Sequence, residues 1–556
     1  MNINKKIILI ALLPLLAVTS CKKELNVGNP NQPTVAANVT TEEGLISLTV
    51  GGVYTNGLGN ANLGWLGNSY FSLPYGYSEL LGDMVAAEAA NQIVNIINIP
   101  DYFIKDDGTK IPNPAPMRQV LRTNNNRSST GQGNNPFYYY WVSLYAMNNA
   151  CNTVLSLIDQ VTYTGDEETK KNTIKAFCYW WKGWAYANIG SQYYAGLIVT
   201  DAGATNADYK THDDIIAESN ANFQQCATIL SGISNLDTYN DVLGKLIPSQ
   251  CQVGNGGVLS PDEWKRNINT MLARNIVVNH LSPFVDNNPN ASISSASITP
   301  MSASDWTQVI TLATDGVKAG DLIFTGRTAS VNGFFTAGGG SVSAEATGDN
   351  SAATFKVGER FLQNFKTGDK RKANNFDASS SYLIGSIFST RYAQLDGGAG
   401  MAGVYVYGNK NVGEYEAIPA SSYEENALML AEANIRTGNI ETGLGYIDDV
   451  RAYQGAGIAA VKGTGLTLVQ ALQELTKERR VALVYRGLSF FDSRRWGWTY
   501  DIANGGGSYH NNMLDGATLN TNVTINYNFL DYWDVPADEF DLNPPAAGSA
   551  EIKNPN

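Results

Sequence analysis

Residues 477–498, KERRVALVYRGLSFFDSRRWGW, decide the fold of this chain, and they are called the arginine segment below. The segment places five arginines among large apolar and aromatic residues. They are Arg479, Arg480, Arg486, Arg494 and Arg495. These side chains cannot all be solvated, and an unpaired buried charge costs several kcal/mol. We therefore expect carboxylate or carbonyl partners for them, in a segment that joins two parts of the fold.

The flanking sequence predicts how the arginine segment is built. Thr467 and Gln470 have the spacing of a helix capping box, and Gly487 is expected to end the helix that follows. Glu478 and Asp492 are the expected carboxylate partners of the arginines. The residues after Gly487 would then dock on other helices, which gives the segment a scaffold role away from any ligand.

The N-terminus has the pattern of a bacterial lipoprotein signal. A basic start with Lys5 and Lys6 precedes an apolar run over residues 7–18, which is too short to span a bilayer. Small residues then lead to Cys21. The pattern predicts cleavage before Cys21 and acylation of its thiol and amine, which would anchor the chain durably. An ordinary secretory signal with a chance cysteine is the alternative.

These features predict a simple organisation of the chain. Residues 1–20 form the signal peptide, residues 21–36 form a lipid-anchored tether, and residues 37–556 form a single domain. We expect no membrane-spanning helix in the rest of the chain, because no other stretch approaches 18 apolar residues.

Composition limits the partners. The chain has 38 basic and 51 acidic residues, a formal net charge of −13, and cleavage of the signal would remove two more lysines. Nucleic acid and anionic lipid both require basic surface, so neither is expected as a main partner.

The cysteines beyond Cys21 are Cys151, Cys178, Cys226 and Cys251. None forms a CxxC pair, so zinc and thioredoxin-type chemistry lack support. Cys151 and Cys178 lie in successive predicted helices. A disulfide between them and two buried free thiols both fit the sequence, and the second is favoured.

The body of the chain is predicted to be mainly helical. Residues 137–160 and 167–194 have apolar residues near helical spacing, and Trp180, Trp181 and Trp184 are expected in the core. Residues 421–437 and 440–450 predict two helices joined by a tight turn, which is the unit of a tetratricopeptide-type repeat. The spacing is not regular enough for a pure repeat array. The prediction is a mainly α fold of helix pairs, with long loops and a few short strands.

Several motifs in a fixed order resemble the SusD/RagB family of outer-membrane nutrient-binding lipoproteins of Bacteroidetes. Each motif alone is weak, but their order behind a lipobox is specific. The resemblance covers almost the whole mature chain and is carried by SELLGD at 78–83, GDKR at 368–371, YEENALMLAEAN at 423–434, KERR at 477–480, FFDSRRWG at 490–497 and the Asn-Pro pairs at 543 and 554.

The resemblance implies a tetratricopeptide-like scaffold that supports a loop-rich ligand face. It implies a binder rather than an enzyme, which captures oligosaccharide or polysaccharide and passes it to a SusC-like TonB-dependent outer-membrane transporter. The protein would be lipid-anchored in the outer membrane and face the cell exterior. Binding of peptides or other non-sugar nutrients, and a lipid-anchored glycoside hydrolase, are the alternatives.

The residues themselves carry no signal for catalysis. HExxH, GxSxG and P-loop motifs are absent, and the three histidines have no metal-ligand spacing. We therefore expect no catalytic residue, metal or cofactor. Asp106-Asp107-Gly108 is interpreted as a turn rather than a calcium loop, and Asp83 as a structural cap.

Exposed aromatic rings are the expected glycan contacts, because flat sugar faces stack on them while Asn, Asp, Gln and Arg bond the hydroxyls. Three loop stretches rich in aromatic and amide residues supply candidates. They are Trp65, Tyr70, Phe71, Tyr75, Tyr102 and Phe334.

Overall fold

Helices dominate the chain, as the apolar spacing predicts. The computed structural model describes residues 39–55, 78–87, 97, 99–113, 117–123, 125, 136–327, 355–378, 382–384, 388–395 and 416–556. Within these ranges the α-helices are α1 Glu42–Val50, α2 Met117–Thr123, α3 Pro136–Leu157, α4 Glu167–Gln192, α5 His212–Ser231, α6 Leu236–Leu246, α7 Pro261–Val278, α8 Ala303–Thr314, α9 Glu359–Leu362, α10 Lys370–Asn375, α11 Tyr423–Arg436, α12 Ile440–Tyr453, α13 Leu468–Ala482, α14 Ser489–Arg495 and α15 Ala537–Leu542.

The strands are short, and most of them pair two by two. They are β1 Val85–Ala87, β2 Tyr102–Ile104, β3 Lys110–Pro112, β4 Ala195–Leu197, β5 Tyr209–Thr211, β6 His280–Leu281, β7 Thr299–Pro300, β8 Gly326–Arg327, β9 Phe355–Val357, β10 Phe376–Asp377, β11 Tyr382–Ile384, β12 Phe388–Thr390, β13 Ala393–Gln394, β14 Glu416–Ala417, β15 Ser508–Asp515 and β16 Thr518–Asn526.

One larger sheet has the antiparallel order β11-β12-β15-β16-β2-β3, with the hairpin β15–β16 at its centre. Strands β2 and β3 belong to a region that the sequence suggested was loop. Their pairing with a hairpin some 400 residues later depends on tertiary contacts, which a local sequence pattern does not reveal.

Successive helices pack as hairpins, which confirms the predicted mainly α fold of tetratricopeptide-like pairs. Helix α3 packs on α4, α4 on α5, and α11 on α12. Gly443 permits the close approach of α12 to α11, because a Cβ at this position would lie 2.6 Å from the carbonyl oxygen of Ala431.

The tryptophans of α4 lie in the core, as predicted. Trp180, Trp181 and Trp184 are all at most 1% exposed. Trp180 donates to Asn267 Oδ1 at 3.0 Å, and Trp184 donates to the carbonyl of Pro419 at 2.9 Å. These bonds satisfy two buried indole N–H groups while the rings fill the space between helices.

The expected capping box at the start of α13 is confirmed. Thr467 accepts from the backbone N–H of Gln470, and the Gln470 side chain accepts from Thr467 in return. The expected end at Gly487 is wrong, because α13 ends at Ala482 and Leu483 is its C-cap. Tyr485 and Gly487 both adopt positive φ in the connection to α14.

The prediction that buried arginines bind carboxylates or carbonyls is confirmed. Asp492 accepts from Arg479 at 2.9 Å and from Arg495 at 2.8 Å. Arg495 also forms two bonds with Glu432, at 2.8 and 2.6 Å. Burial alone would raise the pKa of Glu432, but the Arg495 guanidinium dominates and the pKa falls to about 2.

Arg494 is bound by carbonyl groups instead. It donates to the backbone oxygens of Ser191, Val278 and Asp531, between 2.6 and 2.8 Å. One guanidinium therefore joins the ends of α4 and α7 to the C-terminal region. This is the joining role expected of the arginine segment.

Glu478 binds arginines from outside the segment. It accepts from Arg371 at 2.6 Å and from Arg451 at 2.7 Å, and all three side chains are buried. Asp369 completes the cluster through Arg371 at 2.8 Å. Sequence reasoning named Glu478 as a partner correctly but assigned it to the wrong arginines.

Two smaller expectations are also settled. The helix predicted over residues 421–437 runs from Tyr423 to Arg436, and its N-cap is Ser422, which accepts from Glu425 N. Cys151, Cys178, Cys226 and Cys251 are buried free thiols, the favoured alternative. Among the helices of the described ranges, none is long and apolar enough to cross a membrane.

Candidate functional site

A cavity of about 520 Å³ opens between helix α13 and the hairpin β15–β16. Its walls also include residues 81–83, the loop 284–287, the end of α9 and the chain that follows α14. These pieces lie hundreds of residues apart in sequence. The fold alone brings them to one place.

Helix α13 supplies one wall as a polar stripe. Gln473, Thr476, Lys477 and Arg480 all line the cavity, and their spacing of i, i+3, i+4 and i+7 places them on one helix face. The opposite face of α13 buries Leu475, among other apolar residues. The helix therefore belongs to the scaffold on one side and to the cavity on the other.

Arg480 ties this wall to the segment before β1. Its guanidinium donates to the carbonyls of Gly82 at 2.9 Å and Asp83 at 3.1 Å. Burial lowers the pKa of Arg480, and the nearby Asp83 opposes that shift. The side chain stays charged, since an arginine remains protonated under protein conditions.

Trp498 is a held aromatic ring in the cavity wall. Its indole N–H donates to the carbonyl of Phe284 at 3.1 Å, and the Arg480 guanidinium lies 5.5 Å from the ring centroid. Trp496 packs against it at 5.0 Å between centroids. The ring is only half-buried, so a rigid apolar surface remains open to the cavity.

Asp83 sits at the base of the cavity in an ion pair. Its carboxylate accepts from Arg360 Nε and from the Tyr527 hydroxyl. It is 6% exposed and has φ 56°. The expected structural role is confirmed, but as a buried ion pair rather than a helix cap.

Amide side chains complete the polar lining. Gln363 accepts from the backbone N–H of Asn512 at 2.6 Å, and Asn287 accepts from Gln473. The bond to Asn512 N fixes the orientation of the Gln363 amide. Its –NH₂ group has no hydrogen-bond partner among the described residues and is available as a donor. Such fixed amides suit hydroxyl recognition.

The backbone around the cavity is strained. Seven non-glycine residues in the described part of the chain have positive φ, and four of them line this cavity. They are Asp83, Asp286, Asn287 and His510, with φ between 45° and 61°. Such conformations cost about 1–3 kcal/mol each and cluster at functional sites. This concentration favours the cavity as the functional site.

The family comparison agrees with this scaffold. Residues 409–546 match the model of the SusD family, and this range contains the arginine segment and helices α11 to α14. Over these residues the chain is similar to the SusD family, as its sequence motifs predict.

Solved structures extend the likeness in fold to most of the chain. A protein of Bacteroides vulgatus ATCC 8482, provisionally named a sugar binding protein, has TM-score 0.56 and 15% identity, covering 92% of this chain and 100% of its own. A SusD superfamily protein of the same organism has TM-score 0.55 and 13% identity, covering 91% and 99%. A SusD-like carbohydrate binding protein, also from that organism, has TM-score 0.50 and 14% identity, covering 89% and 92%. No curated protein matches the sequence.

Most of the residues that sequence reasoning offered as contacts lie outside the described residues. This holds for Trp65, Tyr70, Phe71, Tyr75 and Phe334, and for the lipidation site Cys21. They remain predictions.

Tyr102 is described, and it does not line the cavity. It lies on β2, half-buried, with Lys110 Nζ 3.6 Å from its ring centroid. The lysine covers one face of the ring. Asp106-Asp107-Gly108 forms the expected turn between β2 and β3, with Asp107 accepting from Thr109 N at 2.9 Å.

Sequence reasoning missed the cavity residues of the arginine segment itself. It assigned the whole segment to the scaffold, yet Lys477, Arg480 and Trp498 line the cavity. The available signal was the polar stripe at helical spacing in α13. That stripe resembles an ordinary solvated helix face, so the tertiary neighbours were needed to interpret it.

Among the described residues, no group of three or more His, Cys, Asp or Glu side chains is placed to hold a metal ion. What the cavity offers is a held ring, fixed amides and charged side chains. These groups can recognise a ligand by stacking and hydrogen bonding.

Proposed function

We propose that this protein is a glycan-binding lipoprotein of the outer cell surface, and that the cavity beside α13 is its binding site. It captures an oligosaccharide or polysaccharide and delivers it to a SusC-like TonB-dependent transporter. It acts as a binder rather than an enzyme. The family membership and the carbohydrate-binding neighbours support the ligand class.

The observation that carries the proposal is the half-buried Trp498 ring set among fixed amides. An aromatic face accepts the apolar face of a sugar, and the surrounding Gln363 and Asn512 can bond its hydroxyls. The ring is already held by Phe284 and Arg480, so binding would order few new groups.

We propose that the loop aromatics extend this surface. Trp65, Tyr70, Phe71, Tyr75, Tyr102 and Phe334 remain candidate stacking rings, and Cys21 the candidate lipid attachment site. For a polymer, additional rings outside the cavity would add contacts along the chain.

Affinity-gel retardation and titration calorimetry against a panel of neutral and acidic polysaccharides test the proposal. We expect at least one polysaccharide to retard the protein. Trp498→Ala should weaken that retention at least tenfold, and Trp65→Ala should weaken it with little change in melting temperature.

Tyr453→Ala is the matched control, because Tyr453 is an aromatic residue 36% exposed and outside the cavity lining. Its retention should equal that of the wild type. No retardation by any polysaccharide would overturn the proposal. Retention by a folded Trp498→Ala variant equal to the wild type would move the site elsewhere.

A further inference from the structure

The cavity holds more positive than negative charge that is free to meet a ligand. Of its two carboxylates, Asp83 is paired with Arg360, and Asp286 lies 3.4 Å from His510. Neither acid bonds to Lys477 or ion-pairs with Arg480. Asp83 is therefore committed before a ligand arrives. Asp286 is exposed and its contact with His510 pairs charges only when the imidazole is protonated, so one acid faces the two cations Lys477 and Arg480.

Arg480 lies in the wall with carbonyl partners only. It donates to the backbone oxygens of Gly82 and Asp83, and no carboxylate among the described residues lies within ion-pair distance of it. Carbonyl groups satisfy the donors of a guanidinium but do not neutralise its charge. Its positive field therefore persists in a partly desolvated cavity.

Lys477 adds a second positive charge one helical turn away. It is exposed, and no described side chain forms a salt bridge or hydrogen bond with its ammonium group. As residue i to Arg480 at i+3, it lies beside it on the same face of α13. Two cations thus stand together over the cavity, in a chain of formal net charge −13.

We infer that the cavity selects glycans that carry carboxylate groups, with Lys477 as the residue that binds the carboxylate. This inference rests on the proposed glycan-binding function and adds the ligand class. A neutral sugar can accept hydrogen bonds from these cations, but only a carboxylate gains charge–charge attraction from them. An ammonium group near a desolvated wall gives a charge-assisted bond to a carboxylate, and the neighbouring Arg480 strengthens the local field.

The test compares acidic probes with matched neutral ones. Calorimetric affinities are measured for sialyllactose against lactose, and for oligogalacturonate against its methyl ester. We expect each acidic probe to bind at least tenfold more tightly than its neutral counterpart. The preference should shrink as salt rises, since exposed charges are screened.

Lys477→Gln should remove most of that preference, because it weakens the acidic probes far more than the neutral ones, while the melting temperature stays unchanged. Lys318→Gln is the control, because Lys318 is an exposed lysine outside the cavity lining. It makes the same change in net charge and should keep the preference. Loss of the preference in both variants would attribute it to net charge and overturn the role of Lys477.

The outcomes separate the two proposals. Equal binding of acidic and neutral probes, with Trp498→Ala still weakening both, overturns the acidic-glycan inference and leaves the glycan-binding function standing. No binding of any glycan overturns both.

Discussion

At the residue scale, the buried arginines show how charge can be placed inside a helical protein. Each guanidinium meets a specific set of oxygens, as Arg495 does with Glu432 and Asp492. Such pairs contribute little net stability compared with apolar packing, but removal of one partner is costly because a buried charge is left behind. These ion pairs determine which helices and loops pack against each other.

Arg495→Ala should therefore destabilise the fold by about 3–5 kcal/mol without weakening glycan binding by the folded protein. The substitution leaves the carboxylate of Glu432 buried without its bidentate partner, and the remaining ion-pair contact is with Arg436 at 3.7 Å. Urea denaturation measures the loss, and titration at low temperature measures binding.

Lys245→Ala provides the comparison for Arg495→Ala. Lys245 pairs with Asp241, and both side chains are about half exposed, at 51% and 55%. Its loss should change the stability by no more than about 1 kcal/mol. An Arg495→Ala protein as stable as this control would contradict the role given to the buried pair.

At the element scale, helix α12 shows how small residues set the spacing of a helix pair. Gly443 faces α11, where an added Cβ would lie 2.6 Å from the Ala431 carbonyl oxygen and from Ile435 Cγ1. Gly445 lies on the same helix, but the nearest atom to its added Cβ is the flexible Lys462 side chain at 3.5 Å.

These two glycines should respond oppositely to one substitution. Gly443→Ala should destabilise the protein by roughly 1–3 kcal/mol, because the helices must separate. Gly445→Ala should stabilise it by up to about 1 kcal/mol, because alanine favours helix and meets no backbone. Thermal melting of the two variants decides the matter, and equal shifts would show that α12 does not press against α11 at Gly443.

At the scale of the whole molecule, a segment near the start of the described chain packs against the arginine segment near its end. Residues 78–83 dock on the arginine segment, with Ser489 Oγ donating to Ser78 O at 2.9 Å and Gly487 N donating to Glu79 at 3.2 Å. Glu79 is fully buried, and burial raises its pKa from 4.5 to about 7 against the opposing backbone bonds of Tyr485 and Gly487.

This junction predicts a pH-dependent stability. The folded protein holds the Glu79 proton more tightly than the unfolded chain, so the stabilisation is full below pH 4.5 and is lost as pH rises through 7. The loss amounts to roughly 3 kcal/mol, at about 1.4 kcal/mol per pKa unit.

Glu79→Gln removes this titration while keeping the shape of the side chain. The stability of the variant relative to the wild type should therefore rise between pH 5 and pH 8, as measured by urea denaturation at each pH. Parallel stability curves for the two proteins would contradict a raised pKa at Glu79.

Local patterns in the chain were enough to predict the helical class, the helix pair α11–α12, the core position of the α4 tryptophans and the need of the buried arginines for carboxylate or carbonyl partners. These predictions follow from the spacing of apolar residues, from helix capping and from the cost of burying an unpaired charge. Each depends on neighbouring residues or on burial itself, and none depends on which distant residue is the partner.

Only the tertiary structure decided which oxygens the arginines meet and where the cavity lies. Glu478 binds Arg371 and Arg451 rather than its neighbours in sequence, and the polar stripe of α13 lines a cavity shared with residues 81–83 and the β15–β16 hairpin. A helix period states which residues share a face. What covers that face depends on contacts between residues hundreds of positions apart, and no local pattern encodes them.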